Sequence, residues 1–382
     1  MKKLSKFQNI IKRSSKKKNK KKNISADEIA ENLNLKIKDN QWGTYFYKRY
    51  SYNLNLPEVL SGIYYLDKKL NNLNIKKSDL IFLDLETTSL SIGAGNYPFL
   101  IGLGFFRNND FILEQYLYTD VDSEESILME LKKIIENKIV VSYNGKCFDI
   151  PLIENRFTIN RIDMSIKKPS MDLLYVMRRL FKYELDSFNL QNISRYLGIN
   201  RNKLEDVEGY EIPQIFSEYV HFGRYERLKP VLYHNERDVF ALAKMLQYVE
   251  IDIYNDKKFH NKHILAGALQ YELKTKNYNL IEEIKYKKIN KEKNINYILL
   301  KILYRYYKKR KLWEKAERIL KWSLDIFSNN LYFLKELTKV YYLRLKDYKK
   351  AVKIAKKGYL VASKFGLNKQ KGYFKKILNR YK

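Results

Sequence analysis

The sequence predicts an α/β domain, with a mixed central sheet flanked by helices, followed by an all-α helical-repeat domain. Three observations predict it. A short apolar run, Ile81-Phe82-Leu83 with Leu85, carries two carboxylates, Asp84 and Glu86, in the pattern of a buried strand. Strand-like apolar runs and amphipathic helical stretches then alternate to about residue 250. From 260 onward, aromatic and small residues recur at a spacing of 35.

The 382 residues suffice for two domains and a shorter third segment, and 45% hydrophobic content supports packed cores. A net charge of +31 favours a polyanionic partner, nucleic acid ahead of an anionic membrane. Lys, Asn, Ile and Tyr are all abundant, as an AT-rich coding sequence also produces, so charge alone decides nothing. Cys147 is the single cysteine, which excludes an intrachain disulfide and a cysteine zinc site and suits a reducing cytoplasm. No run of about 18 apolar residues predicts a membrane span, and the basic N-terminus lacks the apolar region of a secretory signal.

Residues 1–25 hold eleven Lys or Arg and no acid, so they are expected to be a disordered basic tail. Two readings stay open for it, a salt-sensitive electrostatic arm for nucleic acid and a solvated tail with no specific role. Residues 26–79 read as an extension packed on the next domain. A short helix covers Ala26 to Leu35, a Tyr-rich strand Thr44 to Tyr52, and another helix lies within Leu54 to Leu70.

Residues 80–252 form the α/β domain. In its first strand, alternation puts Asp84 and Glu86 on one face, about 7 Å apart. Two buried carboxylates side by side are costly without a cation, so the pair suggests half of a site for Mg²⁺ or Mn²⁺. Thr87, Thr88 and Ser89 then break the strand and can hold a carboxylate or a phosphate. The Gly93/Gly95 loop lacks the phosphate-loop Lys-Ser/Thr and the dinucleotide fingerprint, which excludes a nucleotide cofactor.

Phe99 to Phe106 and Phe111 to Tyr118 read as a hairpin across Arg107 to Asp110. Asp122 to Glu136 is an amphipathic helix with acids in its first turn, and Ile139 to Tyr143 a further strand. That strand ends at Asn144-Gly145, and a helix starts near Asp149 with Pro151 in its first turn. On its own Asp149 reads as a helix N-cap and Cys147 as a small packing residue. Arg178 and Arg179 suit phosphate contacts or a plain surface pair. Phe188 to Leu197 is a helix stopped by Gly198. In Tyr233-His234-Asn235-Glu236-Arg237-Asp238, His234 and Asp238 lie four apart on one helix face.

Taken together, FLDLETTSL at 82–90, GAGNYPFLIGLG at 93–104, YNGKCFDIPL at 143–152, DLL at 172–174, RRL at 178–180 and YHNERDVFALA at 233–243 resemble the DnaQ-like, or DEDD, branch of the ribonuclease H-like superfamily. The match is closest to its YprB-type family and covers roughly 45–250. Three strands, a helix and a fourth strand is also the opening order of a ribonuclease H-like fold. The resemblance implies a nuclease that hydrolyses nucleic-acid phosphodiesters, 3′→5′ from single-stranded RNA or DNA ends. Asp84, Glu86, Asp149 and Asp238 would hold two divalent metal ions about 3.5–4 Å apart, and a Tyr or His would serve the attacking water.

The sequence departs from the pattern at that last role. In the tyrosine type, Tyr lies four residues before the final Asp; in the histidine type, His lies five before. Here His234 lies four before Asp238 and Tyr233 five before. His234 is the expected base, since imidazole ordinarily titrates near neutrality, with Tyr233 as the alternative. Ser89 stands where many relatives have Gly. Thr87, Thr88, Asn144, Tyr233, Arg178 and Arg179 are the expected substrate contacts.

Residues 260–382 carry Tyr278, Trp313 and Tyr348, then Ile281, Ala316 and Ala351, then Ile284, Ile319 and Ile354, each 35 apart. This resembles tetratricopeptide helix pairs. The lysine-rich faces suit a protein or an RNA partner. Other readings remain: a scaffold that binds nucleic acid with little catalysis, or an adaptor that recruits a protein through its repeats.

Overall fold

The computed structural model describes residues 24–63, 67–70, 73–89, 95–108, 110–119, 123–166, 169–255, 261–283 and 296–380. Nearly all of the basic tail, Gly93 and Ile284 lie outside them. The chain divides into two compact units, one from residues up to 176 with 187–257, the other from 177–186 with 258 onward.

In the first unit a seven-stranded sheet runs in the order β1-β2-β5-β4-β3-β6-β7. The strands are β1 (Lys36–Asn40), β2 (Gly43–Asn53), β3 (Leu80–Thr87), β4 (Pro98–Arg107), β5 (Asp110–Tyr118), β6 (Ile139–Ser142) and β7 (Met171–Asp172). From β1 to β3 every pairing is antiparallel, while β3–β6 and β6–β7 are parallel. The sheet is therefore mixed, with the acid-bearing strand β3 where its sense changes.

Helix α1 (Ala26–Leu33) is capped by Ser25, whose Oγ accepts the Glu28 N–H at 3.1 Å, and ends on left-handed Asn34. The Tyr-rich stretch is more than a packed extension: β2 pairs along its length with β5 and so belongs to the sheet. Of the helix expected within 54–70, Leu54 to Gly62 is irregular around Pro57, Ile63 is helical with its carbonyl accepting the Asp67 N–H at 2.8 Å, and a 3₁₀ turn forms at Lys68–Leu70; residues 64–66 lie outside the described residues. The backbone N–H groups of Ser61, Gly62 and Ile63 go to the buried Glu250 carboxylate at 2.7–2.9 Å. These donors lie at the start of the Ile63 turn, where a helix leaves N–H groups without intrahelical partners, and the carboxylate satisfies them.

Helices α2 (Glu124–Ile135) and α3 (Asp149–Ile159) are joined by a buried ion pair, with Arg156 Nε donating to Glu124 at 2.6 Å. α3 starts where the sequence predicts. Its cap is Phe148 and Asp149 is its first residue, which corrects the N-cap reading. Phe99 of β4 stacks on Phe216 of α6 (Ile212–Phe222) at 3.9 Å. The short α5 (Leu190–Tyr196) is capped by Asn189 and followed by left-handed Gly198. Helix α7 (Leu228–Gln247) buries Val239, Leu242, Ala243 and Leu246, the face its spacing predicts, and packs across β3 and β4.

In the second unit, Met177–Asp186 continues from α4 (Leu173–Leu180), although the sequence assigns this stretch to the α/β domain. Its tie is chemical: the Arg179 guanidinium lies 4.4 Å over the Tyr271 ring, and Glu184 meets His263 Nδ1 at 2.9 Å. The unit continues through α8 (Lys262–Thr275), α9 (Asn279–Glu283), α10 (Tyr297–Lys309), α11 (Trp313–Ile326), α12 (Leu331–Lys339), α13 (Tyr348–Lys364) and α14 (Asn368–Asn379). Trp313 and Tyr348 each open a helix, and Ala316 and Ala351 are fully buried. Two hydrogen bonds repeat in the same register, Tyr306 to Glu282 at 2.8 Å and Tyr341 to Glu317 at 2.9 Å, each partner 35 residues beyond its counterpart. Among the described residues no helix is long and apolar enough to cross a membrane.

Candidate metal centre

On β3, Ile81, Leu83 and Leu85 enter the main core cluster, so alternation turns Asp84 and Glu86 to the opposite face with Phe82. A register irregularity at Glu86/Thr87 ends the regular pairing with β4. Helix α7 covers this acid face. It can do so because β4 carries Gly102 opposite Asp84: a Cβ there would fall 2.4 Å from Asn235 Oδ1. In the space this leaves, Asn235 Nδ2 donates to Asp84 Oδ2 at 2.8 Å, while its Oδ1 accepts from Gln115 at 2.9 Å.

The third acid arrives by the parallel β3–β6 pairing, which sets the C-terminal ends of both strands side by side. After β6 the chain turns at left-handed Asn144. The fully buried Asp172 holds that turn, accepting the N–H groups of Asn144 at 2.9 Å, Lys146 at 3.3 Å and Leu174 at 3.1 Å. Gly145 lets the turn close on the helix start, since a Cβ there would stand 2.3 Å from Ser142 Oγ and 2.8 Å from Asp149 Oδ2. Asp172 is thus a structural clamp on the segment that delivers Asp149.

The remaining groups come from α7. Ligand atoms of Glu86, His234 and Asp238 lie within 4.8 Å of one another. His234 Nε2 stands 3.2 Å from Asp238 Oδ2, and Nδ1 stands 2.7 Å from Asp206 Oδ1. Nδ1–H donates to Asp206, so Nε2 is the ring nitrogen that faces the acid cluster. Arg201 ion-pairs with Asp206 (3.4 Å) and with Asp238.

The electrostatics match a site built for cations. Burial first, and like charge second, push the carboxyls of Glu86 and Asp149 well above the usual range; Asp84 and Asp149 act on Glu86, and Asp84 and Asp172 act on Asp149. Burial also raises Asp84, against the pull of His234, the Asn235 hydrogen bond and Arg201. Asp206 behaves oppositely: burial raises it, but the His234 hydrogen bond and charge, the Val207 N–H and Arg201 together hold it below the ordinary value. Four carboxylates are hard oxygen ligands of the type that suits Mg²⁺ or Mn²⁺, and the mutual strain of three of them is the kind a divalent cation relieves.

The other expected residues fall as follows. Tyr233 accepts the Asn202 N–H on its hydroxyl at 2.8 Å, so its polar end serves the 199–208 loop, and it is His234 that reaches Asp238. Thr87 is buried and donates to the Ser89 carbonyl, and Thr88 Oγ bonds Asn96 and the Tyr97 N–H. Asn144 is exposed at the turn. Arg178 is exposed and Arg179 is stacked on Tyr271, both in the helical unit. Sequence reasoning missed Asn235, Arg201 and Asp206. The first is hidden among helix residues, and the other two lie in a loop with no periodicity. An Arg and an Asp five apart, just beyond a helix-stopping Gly, are the only local trace.

Residues 81–250 match a family model described as RNase_H superfamily. The chain is also 32% identical over 208 residues to "Uncharacterized protein YprB" of Bacillus subtilis (strain 168), across 53% of this chain and 50% of that one. It thus spans about half the length of the curated relative it matches. The segment that carries Asp84, Glu86, Asp149, His234 and Asp238 is therefore a ribonuclease H-like domain of the ribonuclease H superfamily.

Proposed function

We propose that the α/β domain is a divalent-metal-dependent nuclease acting on nucleic-acid phosphodiesters, most specifically a 3′→5′ exonuclease on single-stranded RNA or DNA ends. The observation that carries this reading is the convergence of Asp84, Glu86 and Asp149 with His234 and Asp238, on three separate elements, at the covered face of β3. Asp84, Glu86, Asp149 and Asp238 are the residues that would hold two Mg²⁺ or Mn²⁺ ions. Such a pair, when bound, supplies charge stabilisation to the phosphoryl oxygens and lowers the pKa of the attacking water.

The chain's own groups then have defined work. His234 accepts the water proton at Nε2, and Asp206 fixes the tautomer by accepting a hydrogen bond from Nδ1–H. Asn235 orients Asp84 through its carboxylate hydrogen bond. Asp172 and Gly145 set the backbone that carries Asp149. Thr88 and Asn144, beside these acids in sequence, are proposed substrate contacts, with exposed Arg178 a further candidate. The +31 net charge fits a polyanionic substrate.

The second unit is proposed to be a tetratricopeptide-like array that engages a protein. The repeated Tyr306–Glu282 and Tyr341–Glu317 bonds support a 35-residue structural repeat. The test of the main reading is cleavage of end-labelled single-stranded RNA and DNA with Mn²⁺, with Mg²⁺ and with chelator. Binding without cleavage in every condition would leave a nucleic-acid scaffold.

A further inference from the structure

Arg201 has no part in the reaction as proposed, yet it is bound into the acid cluster more firmly than any other cation near it. Its side chain is 10% exposed, and its Nε is buried with no hydrogen-bond partner. The guanidinium spans Asp206 Oδ2 and Asp238 Oδ1, while His234 spans the other oxygens of the same two carboxylates. Four groups close a ring, Arg201–Asp206–His234–Asp238. Arg201 thereby holds one oxygen of Asp238, and His234 Nε2 stands at the other. A divalent cation that takes Asp238 as a ligand competes with the Arg201 guanidinium for that carboxylate.

The two partners differ in what holds them. His234 and Asp238 stand on consecutive turns of the twenty-residue helix α7, so their relation is fixed. Arg201 stands in the loop after α5 and lines an open cleft of about 770 Å³, together with Arg195, Lys203, Asp206 and Arg227. It therefore borders the cleft and has a second carboxylate, Asp206, to remain with.

We propose that Arg201 is the resident counter-ion of this site: it neutralises Asp238 in the cation-free protein, competes with the divalent cation for that carboxylate, and yields it on binding while staying paired with Asp206. The proposal rests on the metal-dependent reading above. It assigns Arg201 a role in setting how much cation the site needs, because a positive charge a few ångströms away opposes a second one and must be moved.

The test measures Mn²⁺ binding to the full chain by calorimetry, for wild type, Arg201→Gln, Arg201→Lys and Asp84→Asn/Glu86→Gln, with melting curves in chelator and in Mn²⁺. Arg201→Gln is expected to bind Mn²⁺ at least about tenfold more tightly than wild type, because a positive charge a few ångströms from the cation, only partly offset by Asp206, is removed. Its chelator-treated form is expected to melt below wild type and to gain more from Mn²⁺. Arg201→Lys keeps the charge but not the planar fork that spans two carboxylates, and is expected to tighten binding by a smaller factor. Should Arg201→Gln not fold, that smaller gain in the lysine variant decides. Wild-type binding that the Asp84/Glu86 change abolishes, with affinity unchanged or weaker in the Arg201 variants, overturns the proposal and leaves the metal site standing. No Mn²⁺ binding to wild type overturns both.

Discussion

Glu86 offers a direct test of whether the acid cluster is under electrostatic strain. Its carboxyl is raised first by burial and then by Asp84 and Asp149, against a smaller opposing pull from Arg201. Two like charges about 7 Å apart on one strand face repel by about 2 kcal/mol at an effective dielectric of about 20. Allowing for the attraction of Arg201, Glu86→Gln is expected to stabilise the cation-free protein by about 1–2 kcal/mol at pH 8. The sign follows from proton linkage. A carboxyl raised in the folded state binds its proton more tightly there than in the unfolded chain, so its stabilising effect is complete below the ordinary value of 4.5 and is lost as pH rises through the folded pKa. The gap between variant and wild type should therefore shrink as pH falls toward 5. Urea unfolding in chelator at the two pH values measures it, and adding Mn²⁺ should reverse the order at pH 8. A variant less stable than wild type in chelator at pH 8 would refute the strain argument, because Glu86 would then be making net favourable contacts without a cation.

Other outcomes follow from the same geometry. Gly145→Ala forces a methyl onto Ser142 and Asp149, and should cost about 1–3 kcal/mol of stability in a thermal melt and weaken Mn²⁺ binding. Asp206→Asn removes the charge that orients His234, and should lower turnover about 10- to 100-fold and move the acid limb of the pH–rate profile, with Mn²⁺ binding retained. In the helical unit, burial raises Glu336, but hydrogen bonds from Lys339, Tyr304 and Lys308 outweigh it and bring the carboxyl to about 2. A depressed carboxyl stabilises above its unfolded value of 4.5 and loses that contribution as pH falls toward 2, so Glu336→Gln should cost about 1–2 kcal/mol at pH 7, after allowance for solvent screening, and almost nothing near pH 2.

The parts of this molecule that were readable in the sequence are those whose signal is local. The D-x-E strand, the β4–β5 hairpin, the start of α3 at Asp149 and the buried face of α7 each rest on periodicity or turn chemistry within a dozen residues. The fold class followed from the order of these pieces. What escaped depends on partners distant in sequence. β2 looked like part of a peripheral extension because its pairing with β5 is a long-range register that no local pattern states. Glu250, nearly 190 residues away, takes the backbone N–H groups of Ser61, Gly62 and Ile63, a partner that no local pattern states.

The same holds at the site. His234 and Asp238 are four apart, so a shared helix face was legible and their closeness followed. Arg201 and Asp206 meet them across a loop, over separations of 28 to 37 residues, where charge pairing leaves no periodic trace. Asp172 shows the converse. It matched a motif, and its buried carboxylate turns out to clamp three backbone N–H groups. Arg179 suited a phosphate contact by residue type, while the Tyr271 ring supplies its partner in the folded chain.

We propose that the acids of β3 make this domain a metal-dependent nuclease. The most direct measurement compares wild type with Asp84→Ala/Glu86→Ala on end-labelled single-stranded RNA and DNA, in Mn²⁺ and in chelator. The expected result is a ladder that shortens from the 3′ end in Mn²⁺ and is absent both in chelator and in the double variant. Cleavage that persists at the same rate in the double variant, or a wild type that binds both substrates and cuts neither, would contradict it.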